Sequence, residues 1–241
     1  MTRGTLPGYV LLVAACWVAG IRILRFARRT DDAAAGGLGF VLLCTGGLGY
    51  PLLFVRSLWP LSPEMGALTF AAGLAALSLT SAVLYFVLWR VYRPHSPAAA
   101  LLCSGGCFVM AWSFLAELVT VGFSLARDPV WLALGGSARM LPYVWGGVEA
   151  LIQSRTLRLA GPIAGDAEAP RRAALCGVAM LLIALVYGAG IVSALRENEV
   201  PHALSVVHLA TVFGLVAAVA LWVAFLRPGA ARISRPNRAS R

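Results

Sequence analysis

Long apolar stretches separated by short polar segments run along almost the whole chain. Seven of them are long enough to cross about 30 Å of hydrocarbon at about 1.5 Å per residue. They cover residues 7–26, 36–58, 66–91, 97–124, 138–158, 171–195 and 202–226. The apolar runs are continuous rather than alternating every second residue, which favours helices over a barrel. The pattern predicts an all-α, polytopic membrane protein with a single seven-helix transmembrane domain over residues 1–226.

Arginine is concentrated on one side of this predicted domain. The chain has 20 basic residues, all of them arginine. Most fall in four places, which are Arg22/Arg25/Arg28/Arg29, Arg90/Arg93, Arg155/Arg158/Arg171/Arg172 and Arg227/Arg232/Arg235/Arg238/Arg241. These places are the first, third, fifth and last inter-helix positions. The positive-inside rule therefore predicts an N-terminus outside and a C-terminus in the cytoplasm. Residues 227–241 are expected to form a basic, disordered cytoplasmic tail.

Two segments allow an alternative interpretation. The span 138–158 is the weakest, because it contains Pro142, Glu149 and Gln153, and an interfacial or re-entrant helix is the alternative. Removing this span breaks the arginine alternation downstream, which favours a true span, with Arg139 at its outer end. Val13-Ala14-Ala15-Cys16 has the form of a lipoprotein processing box. Cleavage there would leave the first arginine cluster outside, so an uncleaved first helix is favoured.

Composition excludes several classes of protein. The chain is 60% hydrophobic and 12% charged, well below the charge content of soluble domains. Its net charge of +10 arises at helix ends, where it favours contact with anionic lipid headgroups at the cytoplasmic face of the bilayer rather than nucleic acid. Arginine without lysine suggests a GC-rich bacterial genome and hence a multi-pass bacterial inner-membrane protein. Without lysine no retinal Schiff base can form, although the helix count resembles that of opsins.

The sequence predicts no cofactor and no metal site. The five cysteines lie inside apolar stretches, where thiols behave as small hydrophobes rather than as a disulfide framework. His95 lies in a predicted inner loop and His202 at an outer helix start, so the two are on opposite sides of the membrane. No second intramembrane histidine lies opposite His208, which argues against a bis-histidine haem.

Two short segments suggest an internal repeat. Arg22-Ile-Leu-Arg25-Phe-Ala27 recurs as Arg155-Thr-Leu-Arg158-Leu-Ala160 at an offset of 133 residues, and Leu88-Trp89 recurs as Leu221-Trp222 at the same offset. With the fourth helix as a linker, this gives a 3+1+3 plan. That plan resembles the general layout of sugar-transporting seven-helix proteins, and such repeats place the site between the two halves. The positive-inside rule alone also places arginines at matching helix ends, so the alternative is that the two segments resemble each other without an internal repeat.

Ionisable residues inside a membrane are costly and mark candidate sites. Glu117, Glu149 and His208 are the intramembrane candidates, and the first and last of them are expected at similar outer-half depths, where they could pair. Glu149 is expected about 16 Å from the outer end of its helix. Tyr187, Trp112 and Trp145 are expected to border the same outward-opening ligand or proton site. Satisfaction of each polar group by helix-helix hydrogen bonds is the alternative.

The sequence contains no recognisable catalytic set, so an enzyme is disfavoured. Two functions stay open. The preferred one is a non-enzymatic sensor or small-ligand-binding membrane protein that acts through a protein partner. The other is a small-molecule or proton-coupled transporter with the 3+1+3 helix plan. Glycine clusters and the Gly46–Pro51 segment predict close helix packing and a kink in the second helix.

Overall fold

The computed structural model describes residues 5–59, 61–121, 129–160, 168–197 and 204–225, and these ranges contain helices and short turns but no strand. The helices are α1 Thr5–Thr30, α2 Ala33–Cys44, a π-helical segment Thr45–Gly49, α3 Tyr50–Leu58, α4 Pro63–Tyr92, α5 Pro97–Val121, α6 Pro129–Leu159, α7 Ala169–Glu197 and α8 Leu204–Ala224. The second helix, the π-helical segment and α3 run on without a break and form one rod. The described chain therefore folds into seven helical rods.

Local sequence explains where several helices begin. Asp31 adopts a left-handed φ of 57°, which reverses the chain between α1 and α2. Asp32 then caps α2, and its Oδ1 accepts hydrogen bonds from the amides of Ala34 and Ala35 at 3.0 and 3.1 Å. Ser62 caps α4 in the same way, with Pro63 at the first helical position.

The predicted irregularity in the second rod takes the form of a π turn. Pro51 has no amide hydrogen, so the i to i−4 hydrogen bond at this position is missing. The five residues Thr45–Gly49 before it adopt π-helical geometry. Gly46 packs directly on the side chain of Cys16 in α1, where a Cβ would collide with the sulfur.

Six of the seven rods form a closed ring. Going round it, α1 packs on α2, α2 and α3 on α4, α4 on α6, α6 on α7, α7 on α8, and α8 on α1. Helix α5 lies outside this ring, against α4 and α6. The main apolar core fills the ring and includes Leu12, Ile23, Val41, Leu84 and Leu221.

The halves α1–α4 and α6–α8 make the same close contact between their first two rods. A Cβ on Gly20 would lie 3.1 Å from the carbonyl oxygen of Gly39, and one on Gly147 would lie 3.1 Å from that of Gly177. Each of the four glycines is followed four residues later by a leucine that covers the opposite glycine. Helix α1 therefore matches α6 at an offset of 127 residues.

Burial follows the same offset. Among residues 10–30 of α1, the buried positions are Leu12, Cys16, Ala19, Gly20, Ile23 and Ala27, and each has a buried counterpart in α6, namely Arg139, Tyr143, Gly146, Gly147, Ala150 and Ser154. The predicted match of Arg22 to Arg155 is therefore wrong by six residues, and the structural counterpart of Arg22 is Glu149. Leu88 and Leu221, which share the predicted offset of 133, are both buried at 1% exposure.

Five helical segments of the described chain are long and apolar enough to cross a membrane. They are Val10–Thr30, Ala33–Leu53, Pro63–Tyr92, Pro97–Thr120 and Ala169–Val192. Helix α8 contributes a shorter apolar segment, Thr211–Ala224. The architecture is that expected of a membrane-embedded helical protein. Helix α6 begins at Pro129, nine residues before the predicted span, and so carries Arg139 into the bundle. The predicted tail 227–241 lies outside the described residues.

Candidate functional site

A cavity of about 950 Å³ lies at one end of the ring, where α1, α4, α6 and α8 finish and α2 and α7 begin. Its walls are apolar and include Leu38 of α2, Leu88 of α4 and Met180 of α7. A volume of this size is at the upper end of the range of small-molecule sites. The cavity is therefore the principal candidate for a ligand site in the described part of the chain.

The rim of this cavity is charged. Arg29 and Asp31 are exposed at the end of α1, and Arg172 approaches from the first turn of α7. Asp32 also lies on the rim, but its carboxylate caps α2. Arg29 and Arg172 place two guanidinium groups on this rim. Guanidinium groups suit a negatively charged head group, and the apolar walls suit an apolar body.

A cluster of tyrosines fills the ring on the far side of this cavity. Tyr143 lies two helical turns from the cavity-lining Ala150, and Tyr187 two turns from Met180. The ring centroids of Tyr143 and Tyr187 are 5.4 Å apart, and those of Tyr187 and Tyr50 are 6.2 Å apart. We call these three residues the tyrosine layer. It lies between the cavity and the opposite end of the bundle.

Hydroxyl groups tie the tyrosine layer to the π-helical segment. The Tyr143 hydroxyl lies 3.1 Å from Thr45 Oγ1, and both residues are buried. Thr45 begins the π turn, so the irregular stretch of the second rod is joined directly to α6. A rearrangement of this π turn would therefore displace Tyr143 and with it the tyrosine layer.

Arg139 is a buried cation that the sequence analysis placed at the outer edge of a span. It is only 3% exposed, and its Nε donates a hydrogen bond of 2.9 Å to Ser78 Oγ in α4. Its carbonyl oxygen accepts a hydrogen bond from Ser81 Oγ at 3.1 Å. The signal for its burial is present in the sequence, because Arg139 continues the helical stripe of Gly135, Tyr143 and Gly146.

Glu117 is a buried carboxylate within electrostatic range of Arg139. It is 1% exposed on α5, and its charge interacts with the guanidinium. Helix α5 packs against α4 and α6, so a helix outside the ring brings a buried carboxylate into electrostatic range of the Arg139 guanidinium. An intramembrane pair of this kind is costly to separate, since each charge would then lie alone in a medium of low polarity.

The structure does not bring together the predicted partners Glu117 and His208. His208 is exposed on α8, which packs against α7 and α1 on the opposite side of the ring. Trp112 is also directed outward, at 55% exposure, and stacks on Phe108 at a centroid distance of 6.2 Å. Of the predicted aromatic residues, Tyr187 is the one that lies in the buried polar interior.

Glu149 and Trp145 lie at the contact between α4 and α6. Glu149 Oε1 accepts hydrogen bonds from Arg93 Nε at 2.9 Å and from Trp145 Nε1 at 3.3 Å. Because α6 begins at Pro129, Glu149 lies about 30 Å from that start rather than near an outer pocket. The pair is partly exposed, with 55% of the Arg93 side chain and 12% of the Glu149 side chain accessible.

Comparison with protein-family models, with curated proteins and with solved structures gives no significant match.

The described residues hold no group of three His, Cys, Asp or Glu side chains that could bind a metal ion, and all five cysteines are free thiols.

Proposed function

We propose that the protein is a bacterial inner-membrane transporter with seven spans, its N-terminus outside and its C-terminus in the cytoplasm. We further propose that it moves a small amphipathic organic anion through the central cavity. The orientation is supported by the arginines at the ends of α1, α4 and α6, which all lie at the cavity end of the bundle. On this assignment the cavity faces the cytoplasm.

The observation that carries the proposal is the arrangement of the halves around the cavity. The last helix of each half packs on the first helix of the other, α4 on α6 and α8 on α1. Each half also contains the same glycine contact, Gly20 with Gly39 and Gly147 with Gly177. Transporters built from repeats work by rocking one such half against the other around a site between them.

The tyrosine layer provides the second requirement of transport, which is closure on one side. It fills the ring between the cavity and the outer end, so the arrangement corresponds to a cavity open toward the cytoplasm. The Thr45–Tyr143 contact and the pair Glu117–Arg139 would hold this arrangement. Opening toward the outside would require these contacts to separate while the rim closes.

The substrate class follows from the two ends of the cavity. Arg29 and Arg172 would bind an anionic head group, and Leu38, Leu88 and Met180 would contact an apolar body. Hexanesulfonate is a suitable probe, because its charge does not titrate near neutral pH and its chain is short enough for the cavity.

Uptake of labelled hexanesulfonate into proteoliposomes tests the proposal. We expect uptake well above that of protein-free liposomes, and a decrease of roughly ten-fold for Arg172→Gln, the loss of one charge-assisted hydrogen bond. Arg171→Gln is the matched control, because Arg171 is exposed beside it and lies outside the cavity lining. Uptake equal to that of empty liposomes, or equal losses in both variants, would count against transport through this cavity.

A ligand sensor acting through a partner protein is the second candidate. The observation that favours it is the position of α5 outside the ring, where Phe108, Trp112 and Val119 are 67%, 55% and 82% exposed. A partner helix on this face would be next to Glu117 and thus to the interior. Thermal stabilisation by hexanesulfonate without flux would favour the sensor over the transporter.

A further inference from the structure

A second cleft, separate from the central cavity, lies on the outside of the ring between α1 and α8. It has a volume of about 530 Å³, and Arg22, Arg25 and Arg29 line it together with Trp222 and Phe225. The three arginines are spaced three and four residues apart, so they lie on one face of α1. Arg29 also borders the central cavity, whereas Arg22 and Arg25 belong to this cleft alone.

The protein itself holds the first of these arginines in position. Arg22 Nε donates a hydrogen bond of 3.3 Å to the carbonyl oxygen of Phe225. Its guanidinium carbon lies 5.8 Å from the centre of the Trp222 ring, a cation–π distance. Arg25 is exposed one turn further along. The cleft thus combines one oriented guanidinium group with a second that extends into the surroundings.

The cleft continues into an apolar surface toward the middle of the membrane domain. Val18 and Ile21 line it and are 59% and 36% exposed. A ligand that lies along this surface needs an anionic group at the arginines and a hydrocarbon chain next to the valine and isoleucine. This combination distinguishes a phospholipid from a free phosphate ion.

The equivalent position in the other half lacks these cations. At the offset of 127 residues, the counterparts of Arg22, Arg25 and Arg29 are Glu149, Ile152 and Thr156. Glu149 is paired with Arg93 from α4 at 2.9 Å. The fold therefore leaves a basic cleft at one contact between the halves and an internal ion pair at the other. Helix-end topology alone does not require this difference, because both helices end on the same side.

We propose that the α1–α8 cleft is a binding site for the phosphate head group of one anionic phospholipid. The two ends of the cleft match the two parts of the lipid, and its location at the contact between the halves would let a bound lipid hold α8 against α1.

Native mass spectrometry of the full chain in detergent, titrated with phosphatidylglycerol or phosphatidylcholine, tests this site. We expect one phosphatidylglycerol to be retained in preference to phosphatidylcholine, and Arg25→Gln to weaken its retention by roughly five-fold. Arg28→Gln is the control, since Arg28 is also exposed on α1 but does not line the cleft. Arg25→Lys should retain most of the binding.

Two outcomes would overturn the proposal. Equal losses in Arg25→Gln and Arg28→Gln would mean a diffuse surface attraction rather than a site. Equal binding of glycerol phosphate and of the intact lipid would mean that the apolar surface makes no contribution. Both measurements concern the outside of the ring, so they are independent of whether hexanesulfonate is transported.

Discussion

Gly177 and Gly147 meet backbone to backbone, since a Cβ on Gly177 would lie 2.9 Å from the carbonyl oxygen of Gly147. Such an approach is possible only between residues without side chains, and it brings α6 and α7 closer than larger residues would allow. Gly20 and Gly39 make the matching contact between α1 and α2. These two glycine pairs are therefore sites of close helix packing.

Replacing Gly177 by alanine should destabilise the protein. The new methyl group would meet a backbone oxygen that no rotamer change can move, and we expect a loss of about 1–3 kcal/mol in the free energy of unfolding. Gly105→Ala is the control, because no atom lies within 4 Å of a Cβ at that position. Unfolding in mixed micelles with increasing dodecyl sulfate measures both. Equal stability of the two variants would contradict the close contact.

Removing the buried charge of Arg139 should be costly, and removing Glu117 as well should recover part of the loss. Arg139→Met leaves a buried carboxylate opposite an apolar side chain, for which we expect about 3–5 kcal/mol of destabilisation. In the double variant with Glu117→Gln this carboxylate is gone. A double-mutant cycle on the unfolding free energies gives the coupling, and a value near zero would show that the two charges do not stabilise each other.

The contact between Thr45 and Tyr143 should behave as a buried hydrogen bond. Tyr143→Phe leaves the Thr45 hydroxyl buried without this partner, which should lower the free energy of unfolding by about 1–3 kcal/mol. Thr45→Val combined with Tyr143→Phe should cost less than the sum of the single changes. Strict additivity would indicate that the π-helical segment and α6 are not coupled through this pair.

Glu149→Gln should have little effect on stability or on hexanesulfonate uptake, although a glutamate within an apolar stretch is a candidate transport residue. Its ion pair with Arg93 is more than half exposed on the arginine side, and such pairs contribute less than about 1 kcal/mol. Glu149 is also absent from the described cavity lining. We expect hexanesulfonate uptake close to that of the unchanged protein. A complete loss of uptake would place Glu149 in the transport path.

The apolar pattern was sufficient to predict a helical membrane-embedded protein, and most of its span boundaries fall within or near the helices. The predicted span starts at residue 138, whereas helix α6 begins at Pro129, because Arg127-Asp128-Pro129 and Arg139 made the first turns look like part of a gap. The residues after Pro129 are helical nonetheless, since they continue the buried stripe of Gly135 and Tyr143. Arg139 was therefore missed as an interior residue.

The positions of the candidate site residues relative to one another could not be predicted from the apolar pattern of the sequence. The sequence predicted that Glu117 and His208 lie at similar depths in the membrane. Depth does not determine whether a side chain points into the bundle or away from it. Glu117 is directed inward from α5, whereas His208 is exposed on the far side of the ring. The arginines suggested an offset of 133 residues between α1 and α6, whereas the buried residues match at an offset of 127. Arginines recur at helix ends on the cytoplasmic side of any such protein, so they do not report how the helices pack.

The amino-acid pattern is enough to predict which segments are apolar helices and which of their ends carry arginine, because both features depend on residues close together in the chain. Only the folded chain reveals that Arg139 hydrogen-bonds to Ser78, that Arg93 pairs with Glu149, and that a cavity lies where α1, α4, α6 and α8 end. These relationships depend on the rotation and axial shift of the helices, and both side-chain pairs join residues more than fifty positions apart in the chain. Such shifts are set by the side chains in contact, above all by where paired glycines let two backbones meet.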